Sequence, residues 1–271
     1  NEEQLRQWLA DHKIDEVEAV VPDMAGVARG KYMPARKFTE QGGMRLPESV
    51  FIQSVTGEYI DDYLEEDVVD PVDRDMITRP DLDTLRLVPW GEEPTCCVIH
   101  DCFTQKKEPI DIAPRQVLRR IVEMFHARGL VPVVAPEIEF YLVKRNTDPD
   151  YPLEPPIGRS GRKETVRQPY SMDAVDEFEP FIQDIYDYCE VQRLHVDNLA
   201  HETGTAQLEI NFQHGDPIEL SDQMFLFKRT VRETAMRHEI YATFMAKPME
   251  HEPGSSMHWH ISLRRAADGS N

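Results

Sequence analysis

Apolar and polar positions change period several times along the chain, and each change predicts an element. Residues 17–33, VEAVVPDMAGVARGKYM, alternate around an Asp/Gly turn and predict two short strands. Residues 49–59 predict another strand, with Gly57 in a turn. From 58 to 95 the chain is dense in Asp, Glu and Pro, broken by short apolar pieces at 85–90 and 96–99. Further on, Asp111 and Pro114 open a helix that places Val117, Leu118, Ile121, Val122 and Phe125 on one face, and Gly129 closes it. Residues 131–143 read as a strand. A helix from about Ser171 sets Val175, Phe178, Ile182, Ile185 and Cys189 at intervals of three and four, a core-facing stripe. A third helix is predicted over 221–239, and strands over 241–246 and 257–263.

Residues 144–168 follow neither period and are rich in Pro, Gly and Arg. A connection this long inside a compact domain is usually functional or disordered. Its Arg159, Arg162, Lys163 and Arg167 are expected to be solvated, with an acidic neighbour or a phosphate as the alternative. The order of elements gives an α+β fold with no internal repeat, divided into a β-rich domain at 1–105 and a second domain at 106–271.

Composition narrows the function. Fifty acidic against 30 basic residues leave a net charge of −20, spread along the chain. That field repels phosphate backbones and argues against nucleic acid as a partner. Nothing approaches the roughly 20 apolar residues of a membrane span, so no membrane partner is expected. The first residues are polar and acidic, without the basic start and apolar run of a secretory signal. Three of the four cysteines, Cys96, Cys97 and Cys102, crowd into one apolar segment without zinc-ribbon spacing, and Cys189 stands alone. Reduced, buried thiols in a cytoplasmic protein are the expectation.

Three segments place ionisable groups where a hydrophobic strand should close a core. In APEIEFYLV, Glu137 and Glu139 alternate with Ile138 and Phe140, so both carboxylates share one strand face. HETGTAQLEINF offers Glu202 on a Gly-containing loop and Glu209 on a strand backed by Leu208, Ile210 and Phe212. GSSMHWHISL sets His258 and His260 on one face, with Trp259 opposite. A Glu-x-Glu alone is an ordinary solvated strand face. Together, four carboxylates and a histidine pair on strands of one domain need a cation to offset uncompensated charge beside apolar runs. Oxygen-rich, thiolate-free coordination suits Mg²⁺ or Mn²⁺ better than Zn²⁺. Two such ions would clamp phosphoryl oxygens, which points to ATP chemistry without a P-loop, since no G-x-x-x-x-G-K-[ST] is present.

The ordered set APEIEFYLV, HETGTAQLEINF, KRTVRETAMRHEIYATFMAKP and GSSMHWHISL resembles the glutamine synthetase family of bacterial type I, and especially its γ-glutamylpolyamine synthetase branch. DMAGVARGKYMP is similar to the family's N-terminal β-grasp domain, so the resemblance covers residues 10–265. It implies a β-grasp domain followed by a catalytic domain with a curved antiparallel sheet. Carried over by position, it implies that Glu139, Glu202 and Glu209 bind one metal ion, and that Glu137 and His258 bind a second. His260 and Ser262 match nucleotide-contacting positions, and Gly254 matches the turn that meets glutamate. The implied reaction is ATP-dependent: the γ-carboxylate of glutamate is phosphorylated, and an amine attacks the acyl phosphate. A homo-oligomeric double ring with sites between subunits is implied as well.

Departures from the family pattern matter as much. Ammonium-using members carry an Asp in the N-terminal domain at a position that falls here on Gln53. A neutral amide lacks the charge that attracts and deprotonates a small cation, so a larger amine, such as a polyamine, is the expected acceptor. Asp61 or Asp62 is the alternative participant. Pro253 stands where the family commonly has Asn, removing one amide from the glutamate pocket. The family also continues past the length of this chain with an arginine-rich segment, a loop over the glutamate and a last metal-binding glutamate. Two other readings stay open at this point: ordinary glutamine synthesis from ammonium, and a catalytically silent structural or regulatory assembly.

Overall fold

The computed structural model describes residues 2–60, 68, 69 and 72–271, so Asp61 and Asp62 lie outside the described residues. The architecture is α+β, as the periodicities predict, and it divides into two compact units, 1–131 and 132–271.

In the first unit, helix α1 (Glu2–Asp11) precedes strand β1 (Glu16–Pro22), which returns as β2 (Ala28–Pro34) in an antiparallel hairpin. Asp23 shapes the turn between them. Its buried carboxylate accepts from the N–H groups of Ala25 and Val27 and from Arg29 Nε, at 2.9, 2.8 and 2.8 Å. Short helix α2 (Ala35–Gln41) ends at Gly42, whose φ of 68° closes it. Strands β3 (Ile77–Pro80), β4 (Arg86–Leu87) and β5 (Thr95–Phe103) follow, and the sheet order is β2-β1-β5-β3, with β4 also on β5. Strand β1 pairs in parallel with β5, and its run Val17 to Val21 is buried on both faces. Phe38, Phe51, Leu5 and Leu9 pack in the same core as Val17, Ala19, Val21 and Val98.

One prediction fails in this unit, and a second is borne out with a shifted start. Residues 49–59 hold no strand: Glu48–Ile52 is a 3₁₀ helix, followed by a turn at Gly57 (φ 87°) and a single bridge between Gln53 and Tyr59. Ser49, Val50, Phe51 and Ile52 are all buried in succession. Helix α3 (Pro114–His126) forms as predicted from Pro114, but Ala113, not Asp111, precedes its first turn. Of its apolar stripe Val122 is buried, while Leu118 and Phe125 are half-buried. Val117 and Ile121 are 41% and 44% exposed, whereas Arg115 is buried and donates to Asp81 at 2.7 Å and to Asp101 at 2.5 Å. A charge-assisted fork on two carboxylates offsets the cost of burying the Arg115 guanidinium.

In the second unit the strand order is β10-β6-β8-β7, with β9 also on β6. Here β6 is Leu130–Lys144, β7 Val196–His201, β8 Gln207–Phe212, β9 Ile240–Thr243 and β10 Met257–Arg265. One face carries Ile138, Phe140, Leu208, Ile210 and Phe212, all buried. Phe227 packs against Phe140 and Phe212, with ring centroids 6.5 and 5.1 Å away. The predicted single helix from Ser171 is two, α4 (Met172–Asp176) and α5 (Glu179–Gln192). Pro180 lacks the N–H that a continuous helix would bond to the carbonyl four residues back, and the chain breaks at Phe178. The stripe Phe178, Ile182, Ile185 and Cys189 is nonetheless buried. The last helix, α6 (Pro217–Arg237), starts four residues before the predicted Ser221, because Asp216 caps it by accepting from Ile218 and Glu219 N–H.

Residues 144–168 contain one bridge, Ile157 to Lys163, and three of the four cations named above pair with acidic side chains. Arg159 pairs with Asp176 and Glu179, Lys163 with Glu154, and Arg167 with Glu252. All four cysteines are buried free thiols, as expected, and burial pushes Cys96, Cys102 and Cys189 up to about 12. No helix among the described residues is long and apolar enough to cross a membrane.

Candidate metal and active site

The polar face of the second sheet is built by strand alternation. Antiparallel register sets Glu139 directly opposite Glu209, Glu137 opposite Asn211 and Tyr141 opposite Gln207. Because Ile138, Phe140, Leu208 and Ile210 occupy the core side, all six polar side chains must share the other. Glu202 joins them from the loop between β7 and β8. One carboxylate oxygen from each of Glu139, Glu202 and Glu209 lies within 4.8 Å of the other two.

The hydrogen bonds described for these three carboxylates come from neutral donors. Glu139 Oε2 accepts from Gln207 Nε2 and from Ser256 N–H, both at 3.0 Å. Glu202 Oε2 accepts from Thr203 N–H at 2.8 Å, and Glu209 Oε1 from Asn211 Nδ2 at 3.0 Å. Burial, with the charges of Glu137, Glu202 and Glu139 beside it, holds Glu209 above the ordinary carboxylate range against the opposing bond from Asn211. A group of oxygens in this state fits a hard divalent cation. Opposite ligands on an ion with bonds of about 2.1 Å stand about 4.2 Å apart, a span that three oxygens within 4.8 Å of one another can meet with small adjustment.

Glu137 meets the two histidines of β10. His260 Nε2 is 2.8 Å from Glu137 Oε1, and His258 Nδ1 is 3.6 Å from Oε2. His258 and Glu137 therefore adjoin, but His260 also reaches the carboxylate, which the residue pattern alone does not distinguish. Ser262 lies farther along β10. Gly254 precedes that strand, and its carbonyl accepts from Gln207 Nε2 at 3.0 Å. A Cβ there would stand 2.8 Å from the backbone oxygen of Ala246, so packing alone already requires glycine. Gln53 belongs to the first unit, where Arg29 Nη2 donates to the carbonyl of the next residue, Ser54, at 3.0 Å.

Several participants escaped the residue reading. Gln207 is fully buried and braces Glu139 while its Oε1 accepts from Gly204 N–H at 2.9 Å. Tyr141 donates to the carbonyl of Pro253 at 2.7 Å, and a Cβ at Gly204 would come within 2.0 Å of its hydroxyl. Both residues are legible in hindsight, since Gln207 and Tyr141 fall in step with Glu209 and Glu139. Burial pushes the Tyr141 hydroxyl up, and the nearby carboxylates of Glu252, Glu139 and Glu202 add to that.

Residues 111–271 match the family described as the glutamine synthetase catalytic domain. The chain belongs to the glutamine synthetase family. Among its relatives, γ-glutamylputrescine synthetase PuuA of Escherichia coli (strain K12) is 34% identical over 92% of this chain and 53% of its own length. The glutamate–isopropylamine ligase of Pseudomonas sp is 30% identical over 96% of this chain and 56% of its own. The glutamine synthetase of Pyrococcus horikoshii is 33% identical over 73% of this chain. Among solved structures, one described as apo GmaS without ligand gives a TM-score of 0.77 over 96% of this chain at 24% identity, which supports the fold. A GmaS/ADP complex gives a TM-score of 0.78. The chain spans about half the length of the curated relatives it matches. Enzymes of the glutamine synthetase family use ATP and divalent metal ions and join glutamate to ammonium or an amine.

Proposed function

We propose that the whole protein is an ATP-dependent ligase joining the γ-carboxylate of glutamate to an organic amine. The observation that carries this reading is the convergence of Glu139, Glu202 and Glu209 on one sheet face, with Glu137 beside His258. Residues 1–105 are read as the β-grasp domain and residues 106–271 as the opening part of the catalytic domain, within which the family match at 111–271 falls. Relatives named for putrescine and isopropylamine support an organic acceptor, as does the neutral Gln53.

Glu139, Glu202 and Glu209 would hold one divalent ion, and Glu137 with His258 would contribute to a second. When bound, such ions neutralise charge on a phosphoryl group in transfer. Gln207 and the Ser256 N–H keep Glu139 aimed, so its carboxylate is already oriented before substrate arrives. Gly254 would meet glutamate, while His260 and Ser262 would contact the nucleotide. In the chemical step a γ-carboxylate oxygen takes the terminal phosphoryl of ATP and ADP leaves. The amine nitrogen then attacks the acyl carbon, phosphate departs with the C–O bond, and the nitrogen gives up one proton. A homo-oligomeric double ring, with Gln53 serving a neighbour's site, and a cytoplasmic location complete the proposal.

The test is phosphate release from ATP by the full-length protein with glutamate and Mg²⁺ or Mn²⁺. Putrescine, spermidine, ethanolamine and simple monoamines are compared with ammonium. Release driven by an organic amine at concentrations where ammonium is inert is the expected result. The glutamine synthetase named among the relatives favours the second reading, which release with ammonium alone would establish. No release with any amine would leave the silent assembly.

A further inference from the structure

The loop at 202–206 has to present Glu202 to the cluster, and its own backbone does not favour doing so. Ala206 sits at φ 55°, in the left-handed region that disfavours a residue with a side chain. Ala206 is fully buried, so its N–H must find a protein partner. That partner is Glu164, from the irregular segment at 144–168. Glu164 Oε2 accepts from Ala206 N–H at 2.7 Å and stands 3.1 Å from His201 Nε2. The other ring nitrogen of His201, Nδ1, lies 2.7 Å from the carbonyl oxygen of Glu202 itself. One carboxylate oxygen therefore ties down both ends of the loop: its far end directly, and its near end through an imidazole that reaches the Glu202 backbone. Both partners are shielded, the His201 side chain fully and that of Glu164 to 8% exposure.

We propose that Glu164 is a positioning residue for the metal-binding face, holding the 202–206 loop, through Ala206 and His201, so that Glu202 meets Glu139 and Glu209. This rests on the metal-site reading above. Glu164 does not touch the cluster itself. Its effect is to fix the orientation of a ligand-bearing loop, and outer groups of this kind typically change metal affinity by about 10- to 100-fold when removed.

The experiment is Mn²⁺ titration of the full-length protein, with free Mn²⁺ followed by electron paramagnetic resonance, for the parent, Glu164→Ala and Glu164→Gln. Amide hydrogen exchange across 203–206 is measured alongside. Glu164→Ala is expected to bind Mn²⁺ at least tenfold more weakly, with faster exchange at Ala206. Glu164→Gln keeps an oxygen able to accept from Ala206 and should stay within about threefold of the parent. If Glu164→Ala does not fold, Glu164→Asp replaces it, since it keeps the charge but shortens the reach, and a weakening of more than threefold is the expected result. An alanine variant within twofold of the parent, an aspartate variant within threefold where it is the one tested, or a glutamine variant as weak as the alanine one, overturns the proposal while leaving the metal site standing. A parent that binds no Mn²⁺ overturns both.

Discussion

Glu139 of β6 stands directly across the antiparallel pair from Glu209 of β8, two carboxylates on one face with only neutral hydrogen-bond donors described for them. Like charges placed directly opposite on a sheet are destabilising, by up to about 1 kcal/mol. Under the proposed function, that cost is offset when a cation binds between them.

Glu209→Gln should therefore make the metal-free protein more stable by about 0.5–1 kcal/mol, since it removes a like charge that burial already disfavours. The same change should lower Mn²⁺ affinity more than tenfold. Thermal unfolding without metal and calorimetric titration with it check the two halves. A variant less stable than the parent would contradict the account of the cluster.

Gly204 has no room for a side chain. A Cβ there would lie 2.0 Å from the Tyr141 hydroxyl and 2.6 and 2.7 Å from its ring carbons. Gly204→Ala should cost about 1–3 kcal/mol as overpacking and weaken Mn²⁺ binding by displacing the loop that carries Glu202. Adding Tyr141→Phe should recover only part of the loss, because the ring carbons remain in the way. Denaturant unfolding of the single and double variants decides it, and full recovery would show that the hydroxyl alone is the obstacle.

His100 is buried in the first unit, with Nδ1 3.2 Å from the carbonyl of Val98. Burial pushes its pKa down to about 4, against an ordinary value of about 6.5. With the folded value depressed, the unfolded chain takes up the proton first as pH falls. The stability that the neutral ring contributes is therefore complete above about 6.5 and is lost between there and about 4, at most about 3 kcal/mol. Urea midpoints at pH 7 and 4.5 should fall further apart for the parent than for His100→Gln. Equal pH slopes in the two proteins would assign the acid sensitivity elsewhere.

Gln53 follows a 3₁₀ helix rather than sitting in a strand, and Arg29, itself paired with the buried Asp23, holds the carbonyl of Ser54 beside it. Gln53→Asp restores a negative charge at that position. The expected outcome is a severalfold rise in ammonium use relative to larger amines, read as the ratio of kcat/KM values. An unchanged ratio would remove Gln53 from amine selection.

Much of the site was readable from residue order. Glu137 and Glu139 alternate with Ile138 and Phe140, and Glu209 alternates with Leu208 and Ile210, so strand geometry alone sends the carboxylates to one face and the apolar side chains to the core. Gln207, Tyr141 and Asn211 follow the same alternation and were available to the same argument. Glu164 was not: it lies in a segment with no period, 37 residues before His201.

What the sequence by itself determined, then, is whatever repeats with a local period: the β1–β2 hairpin, the buried stripe of α5, the strands of the second sheet and the faces their side chains take. Tertiary structure alone decided where the period was absent or outweighed. The run from Ser49 to Ile52 packs into the core as a 3₁₀ helix, although its residue pattern reads as a strand. Arg115 went inward on α3 because two carboxylates distant in the chain, Asp81 and Asp101, received it. Glu202 reached the cluster through contacts between separate segments, and such contacts leave no periodic trace in a sequence because they form only after the local elements have packed.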